Sequence, residues 1–336
     1  MIKGAIIGTG FWSHYQISAW KELEGVTITA AYNRTISTAK SFAEKFQLSE
    51  VYDDAALMLE REKPDFVDII TDAGTHLKFT QLAASKGIHV ICQKPMSDTL
   101  SSAKLMLECC QTAGVKLFIH ENFRWQAPVR AVKKWMNSGI IGKPFKAKVD
   151  FCSAFPVFDN QPFLAELDHF ILTDIGSHVL DICRYLFGEA KQLYCLTKKI
   201  NPAIKGEDVA GVFMEMDGNV QCFADMSYAS LLEKESFPQT LLLVEGDKGS
   251  IQLTHDFELK ITTRQGTQKF VVQPAHYGWA DPEYAVVHSS IVACNDDILK
   301  GLNGGVAETT GEDNLKTVAL VWAAYESAAS GKVIQL

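Results

Sequence analysis

No stretch of the chain reaches the run of about eighteen apolar residues that a membrane-spanning helix needs, so no transmembrane segment is expected. The start has no signal-peptide layout, because its apolar run reads as a β-strand, and a cytoplasmic location is the expectation. An excess of basic charge is also missing: 32 Lys and Arg against 40 Asp and Glu give a formal net charge of −8. A dedicated nucleic-acid or anionic-membrane binder needs basic patches, so neither partner is expected. Paired cysteines are absent. The eight are scattered, Cys109 and Cys110 are adjacent, and there is no Cys-x-x-Cys. Neither a zinc site nor a disulfide framework fits that spacing, and reduced thiols are the simplest reading. No internal repeat or low-complexity linker interrupts the chain. What is present is an ordinary soluble composition, 47% hydrophobic and 21% charged over 336 residues, long enough for two domains with cores of their own.

The chain opens with Gly4-Ala5-Ile6-Ile7-Gly8-Thr9-Gly10-Phe11-Trp12-Ser13. A short apolar strand, a Gly-x-Gly turn and a helix from about Phe11 to Glu22 are the first unit of a dinucleotide-binding fold. Gly8 permits the tight turn, and Gly10 lets backbone approach a pyrophosphate at the positive end of the helix. Gly8, Thr9, Gly10, Phe11 and Trp12 are therefore cofactor-side candidates. Ser13 stands where the usual fingerprint has a third glycine, and its small side chain still allows close helix–strand packing.

The first third alternates strand and helix, with strands near Ile2–Ile7, Val26–Tyr32, Phe66–Thr71, Ile88–Cys92 and Val115–Ile119. That alternation predicts a mostly parallel sheet covered on both faces, with ligands at the carboxyl ends of its strands. Asn33 and Arg34 follow the second strand, about twenty residues after the glycine turn, where the adenosine ribose is held. Asn33 can bond a hydroxyl, and Arg34 could pair with a phosphate or stack on adenine, which leaves NAD and NADP both open. Thr71 and Asp72 end the next informative strand. Thr75 is a candidate helix cap, and His76 falls in the following first turn. The strand from Ile88 runs into Cys92-Gln93-Lys94-Pro95-Met96. Pro95 biases Lys94 toward an extended conformation, so a lysine is held by backbone geometry at the ligand edge of the sheet, and Thr71, Asp72, His76, Gln93 and Lys94 join the cofactor-side candidates.

Beyond about residue 122 the pattern changes. Strand-like stretches recur at Phe145–Phe151, Gln192–Thr197, Gly211–Met216, Val220–Ser227, Thr240–Glu245, Ser250–Leu253 and Glu258–Thr262. Asp217-Gly218 is a hairpin signal. Consecutive hairpins predict an antiparallel sheet in an α+β second domain. The boundaries expected are 1–121 for the dinucleotide-binding domain and 122–336 for a substrate-binding and oligomerisation domain, with the C-terminal helix a candidate to pack back on the first. One helix stands out, Thr173-Asp174-Ile175-Gly176-Ser177-His178-Val179-Leu180-Asp181. Asp174, His178 and Asp181 share a face. A carboxylate one turn before an imidazole can orient it, and such a pair suits proton transfer. A third ligand at recognisable spacing is missing, so no metal is expected.

Together these residues resemble the Gfo/Idh/MocA family of NAD(P)-dependent sugar oxidoreductases across essentially the whole chain. The resemblance rests on Gly8-Thr9-Gly10, on Gln93-Lys94-Pro95 against the family's Glu-Lys-Pro, on Asn122-Phe123-Arg124, and on Asp174-x-Gly176-x-His178. It implies a Rossmann domain followed by an open antiparallel sheet, and NAD or NADP as cofactor. It also implies a homo-oligomer, dimer or tetramer, built through the C-terminal sheet. Carried over residue by residue, it implies Lys94, Asp174 and His178 as the catalytic set. Gln93 departs from the family's acidic residue and removes a negative charge beside the lysine. Phe11-Trp12-Ser13, Cys92-Gln93-Lys94-Pro95-Met96 and Glu121-Asn122-Phe123-Arg124-Trp125 resemble the branch that includes D-apiose dehydrogenases, which form an aldonolactone. The implied chemistry is oxidation of a cyclic aldose at C1, with Asn122, Arg124, Trp125, Phe155 and His169 as candidates for the sugar-binding wall. A redox-assisted glycoside hydrolase or lyase that keeps its NAD, and a non-catalytic dinucleotide or sugar sensor, are the competing readings.

Overall fold

The computed structural model describes the backbone of residues 1–336 and every side chain except that of Asn160. The chain divides into two units: Met1–Asn122 with His276–Val318, and Phe123–Ala275 with Ala319–Leu336.

The first unit lays down β1 (Ile2–Ile7), α1 (Phe11–Lys21), β2 (Val26–Tyr32), α2 (Ile36–Phe46), β3 (Glu50–Tyr52), α3 (Ala55–Glu62), β4 (Phe66–Ile69), α4 (Ala73–Ser85), β5 (His89–Gln93), α5 (Leu100–Ala113) and β6 (Leu117–His120). The strands form one parallel sheet in the order β3-β2-β1-β4-β5-β6. Strands β4 and β6 are buried along their whole length, β4 as an inner strand with helices on both faces must be, and β6 although it stands at the sheet edge. The apolar periodicity of α2 buries Ala39, Phe42, Ala43 and Phe46 on one stripe. Phe42 and Phe46 meet Ile6, Ile17, Ala31 and Ile70 in the core. Burying each such large side chain contributes about 1.5–3 kcal/mol. The three-residue edge strand β3 has no readable pattern in the sequence, and the reading passed over it.

The second unit begins with α6 (Ala127–Asn137), β7 (Pro144–Cys152), the short α7 (Val157–Asn160) and α8 (Ile171–Phe187). Strands β8 (Ala190–Lys198), β9 (Val209–Met216), β10 (Val220–Ser227), β11 (Leu241–Gly246), β12 (Gly249–Leu253), β13 (Glu258–Thr263) and β14 (Gly266–Val271) follow. The chain then adds α9 (Ala285–Leu302) to the first unit, runs through α10 (Gly311–Ser330), and ends on β15 (Ile334–Gln335). The nine strands stand in the order β14-β13-β12-β11-β7-β10-β9-β8-β15. Neighbours are antiparallel with one exception, the parallel pair β7–β10. Hairpin counting does not find this pair, because a long crossover through α8 separates its strands. Strand β14 was also missed. All six of its residues are exposed, so it carries no alternation to read.

Strands β7, β9 and β10 bury alternate residues beneath α8, whose apolar stripe includes Ile175, Val179, Ile182 and Leu186. Helix α8 starts two residues before the stretch singled out in the sequence and ends at Gly188, whose φ of +85° is one that L side chains rarely adopt. Among the described residues no helix is long and apolar enough to cross a membrane, and no three His, Cys, Asp or Glu side chains are grouped to hold a metal.

Candidate active site

Four loops follow the carboxyl ends of β1, β2, β4 and β5. In the first, Gly8 adopts φ +104°, and a Cβ there would lie 2.2 Å from the Ile70 carbonyl oxygen. Only glycine fits. A Cβ on Gly10 would meet no atom within 4 Å, so the backbone here faces open space. Helix α1 has no side-chain cap and no acidic residue in its first turn, which leaves its leading N–H groups unopposed. This cradle fits a dinucleotide pyrophosphate: the approach is open, the donors are available and the helix end is positive. Ser13 is buried and its hydroxyl donates to the Gly10 carbonyl at 2.6 Å, so the third-glycine position is used to fasten the turn. Thr9 is buried, Phe11 is 56% exposed, and Trp12 packs against the cores on both sides of α1. The Trp12 indole N–H is buried without a partner.

After β2, Asn33 donates to the Thr9 hydroxyl at 2.7 Å and accepts from the Thr35 N–H at 2.9 Å. Its amide therefore ties the glycine turn to the start of α2. Arg34 is exposed. After β4, Asp72 takes the N-cap position of α4. The cap expected at Thr75 is thus corrected. The helix starts three residues earlier, and the Thr75 hydroxyl donates within the first turn to the Asp72 carbonyl and pairs with the Thr71 hydroxyl, both at 2.8 Å. His76 is buried with Nε2 3.0 Å from the Thr71 carbonyl and Nδ1 3.2 Å from those of Pro95 and Met96. It buckles the β4 and β5 loops together. Burial holds its pKa below the ordinary histidine value, against the pull of those carbonyls.

Lys94 leaves β5 half-buried, and its bond to Pro95 is cis. Its backbone N–H donates to Gln93 Oε1 at 2.9 Å. Gln93 is buried, so its amide acts on the lysine through backbone position. Behind it lies a set of polar side chains that the sequence reading overlooked: Gln16, Asp68 and His120, all fully buried. Asp68 was visible as a carboxylate inside an otherwise apolar strand. Asn122 is also buried, donating to Ser290 Oγ at 2.7 Å and to the Val287 carbonyl at 3.4 Å.

In the second unit, α8 sets the remaining candidates. The His178 ring lies flat on Phe123, centroids 3.7 Å apart and planes 5° from parallel, and is almost wholly buried. Asp174 is half-buried one turn earlier and accepts a long hydrogen bond, 3.4 Å, from the Tyr228 hydroxyl. Burial pushes that phenol far above its ordinary pKa, with the neighbouring carboxylate adding to the effect. Tyr228 was not found from the sequence, since a tyrosine just past a strand end carries no distinguishing mark. Asp181 shares the α8 face in projection, but its carboxylate is spent on Arg124. Nε to Oδ2 is 2.7 Å and Nη2 to Oδ1 is 2.5 Å, with the two residues 4% and 0% exposed. The half-buried Trp125 carries the Arg130 guanidinium 4.3 Å above its ring, and its indole N–H has no partner. Phe155 stacks on Phe237 at 3.8 Å, and the exposed His169 stacks on Tyr325 at 4.4 Å.

A parallel sheet ordered 3-2-1-4-5-6, with a glycine turn at an uncapped helix, is the arrangement of a dinucleotide-binding Rossmann domain, and an α+β unit follows it in the same chain. Residues 2–121 match the family model described as "Oxidoreductase family, NAD-binding Rossmann fold", and residues 129–252 match the GFO/IDH/MocA C-terminal domain. The chain belongs to the Gfo/Idh/MocA oxidoreductase family. It is 42% identical over 335 residues to a D-apiose dehydrogenase of Paraburkholderia graminis, spanning 99% of this chain and 89% of that protein. To a D-apiose dehydrogenase of Rhizobium rhizogenes it is 40% identical over 336 residues, spanning 100% and 97%. Among solved structures it is similar to an oxidoreductase from Agrobacterium radiobacter in complex with NAD+, L-tartaric acid and magnesium. That match has 40% identity and a TM-score of 0.97, and covers 99% of this chain and 98% of that one.

Proposed function

We propose that the protein is an NAD-dependent sugar dehydrogenase that oxidises D-apiose at C1 to the aldonolactone. The observation that carries this is full-length identity of 40–42% to two proteins named D-apiose dehydrogenase, in a chain that holds the Lys94, Asp174 and His178 set. Bound NAD supplies the acceptor for the hydrogen and electron pair that leave C1. His178 takes the proton of the C1 hydroxyl, its ring plane fixed by Phe123. Asp174, one helical turn away, orients the imidazole and stabilises its charged form, with Tyr228 steadying the carboxylate. Lys94 shares the proton transfer, its backbone placed by Gln93. General-base assistance of this kind is worth on the order of 10²–10⁴ in rate. Loss of one C–H and one O–H hydrogen turns the cyclic hemiacetal into the lactone. Gly8, Thr9, Gly10, Phe11, Trp12, Asn33, Arg34, Thr71, Asp72 and His76 serve the cofactor, with Asn33 and His76 acting by holding its loops. Trp125, Phe155 and His169 are available for the sugar. Arg124 and Asn122 act as positioning residues, given that each already has buried partners.

We further propose a homo-oligomer built through the sheet face opposite α8. Tyr194, Phe213 and Phe223 are cross-strand neighbours there. The two phenylalanines stack at 4.6 Å while 41% and 40% exposed. Such a paired aromatic surface is stabilised by covering it with a second copy.

The activity is tested by incubating the protein with NAD or NADP and a panel of aldoses that includes apiose, and following absorbance of the reduced cofactor. Sustained reduction with apiose is expected. No net reduction together with NAD retained through purification would instead favour a redox-assisted lyase, and absence of dinucleotide binding would refute the proposal. Light scattering tests the oligomer. Phe213→Lys is expected to shift the mass toward that of one chain, and an unchanged mass would contradict the role given to this face.

A further inference from the structure

We propose, on the reading of Lys94 as a residue of the reaction, that Gln93, Gln16 and Asp68 form a one-way hydrogen-bond chain that positions Lys94 and requires an amide at position 93. Every link has a fixed direction. The Lys94 N–H donates to Gln93 Oε1 at 2.9 Å. Gln93 Nε2 donates to Gln16 Oε1 at 2.6 Å, and lies 3.4 Å from His120 Nδ1. Gln16 Nε2 donates to both oxygens of Asp68, at 2.8 and 2.7 Å, and the Trp20 indole N–H donates to Oδ2 at 2.8 Å. Asp68 therefore sits at the end as an acceptor of three N–H bonds, with no ion pair among the described residues. His120 closes the other branch, its Nε2 3.1 Å from Asn295 Oδ1, and Asn295 Nδ2 has no partner. These side chains are all buried, so no water can mend a reversed link.

A carboxylate at position 93 would still accept from the Lys94 N–H. Its other oxygen would face two acceptors, Gln16 Oε1 and His120 Nδ1. The site then needs one extra proton, held by the new carboxyl, by His120 or by Asp68 itself, whose O–H would donate to a reversed Gln16 amide. The ionisable groups around it include Asp68 on β4, Cys92 and Lys94 beside it on the β5 segment, His120 at the end of β6 and the fully buried Glu121 that follows it; α1 contributes the neutral Gln16 and Trp20. None of the neutral groups can supply that proton. Replacing Asp68 by an amide removes the conflict. The Gln16 and Asn295 amides and the His120 tautomer can then all reverse, and the free Asn295 Nδ2 gains a partner. The residue preceding the lysine is thus selected two hydrogen bonds away, by the buried carboxylate on β4.

The test compares steady-state kinetics of Gln93→Glu, Asp68→Asn, the double variant, Gln93→Met and Lys94→Met across pH, with NAD affinity measured separately. Gln93→Glu is expected to lose about ten-fold or more in kcat at pH 8, as one unpaired buried polar group implies, with the loss shrinking as pH falls. A wild-type base gains activity in the opposite direction. The double variant is expected to recover most of that loss, and NAD affinity to stay within about two-fold, as for an interaction that acts on the transition state. Wild-type kcat and pH dependence in Gln93→Glu, or a double variant no better than the worse single one, would overturn the proposal. Should Gln93→Glu fail to fold, Gln93→Met decides. It breaks the chain without adding charge, so lowered kcat supports the proposal and wild-type kcat overturns it. Lys94→Met separates the two claims. Full activity there removes the role of Lys94 itself, whereas inactivity beside a wild-type Gln93→Glu removes only the positioning chain.

Discussion

Replacing Arg124 by Met should destabilise the second unit by about 3 kcal/mol, the lower end of the range for breaking a buried ion pair from one side. The two short bonds to Asp181 disappear, and the carboxylate stays fully buried. Arg184 Nη1 remains 3.9 Å from Asp181 Oδ1, which softens the loss. It cannot cancel it, because Arg184 is held by Glu189 through two bonds of 2.8 Å. Removing both charges in Arg124→Met/Asp181→Leu should recover most of the stability, since an apolar pair of similar volume costs no desolvation. Urea titration followed by near-ultraviolet circular dichroism reads the difference, with kinetics on the same samples. Stability within about 1 kcal/mol of wild type, together with a raised KM for the sugar, would refute this assignment and return Arg124 to the substrate wall.

Three further outcomes follow from the same geometry. Gly8→Ala should weaken NAD binding and lower stability by about 1–3 kcal/mol, because its Cβ would meet the Ile70 carbonyl at 2.2 Å and its φ is +104°; calorimetric titration showing wild-type affinity would contradict it. His178→Ala and Lys94→Met should each lower kcat by about 10²–10⁴, and unchanged turnover in both would remove the catalytic assignment. Burial raises the Asp68 pKa from 3.8 to about 7. The folded chain therefore holds a proton that the unfolded chain releases, and this contribution is complete below the unfolded value and lost as pH rises through about 7. His76, lowered by burial, acts in the opposite sense, favouring unfolding as pH falls below its unfolded value. Asp68→Asn should flatten the decline of stability between about pH 5 and 7, a slope of at most about 1.4 kcal/mol per pH unit, and an identical slope would show Asp68 unperturbed.

The Rossmann unit was legible because local chemistry dictates it. A glycine turn, buried apolar strands and amphipathic helices each read within a dozen residues; the first two strands have the expected bounds, and those of the other three differ by one or two residues where fraying sets them. The parallel β7–β10 pair and the short β3 were illegible, since pairing partners far apart in sequence leave no local trace. Among the candidates, Gly8, Asn33, His76 and Lys94 are picked out by residue type at strand and helix ends, and His178 by its spacing to Asp174 within a helix. What each one touches did not. Asn33 and His76 proved to brace loops, and Asp181, on the predicted face with His178, proved to belong to Arg124. Gln16 reads as an ordinary helix residue, and only the fold brings its amide from α1 onto the Asp68 carboxylate of β4.

Oxidation at C1 is tested by supplying NAD with apiose carrying deuterium at C1 and analysing both products by mass spectrometry and NMR. The expected result is deuterium in the reduced cofactor, an aldonolactone or its acid as the sugar product, and slower turnover than with unlabelled sugar under conditions where chemistry limits. Cofactor reduction that leaves the C1 deuterium on the sugar, or a sugar product unchanged in oxidation state, would contradict it.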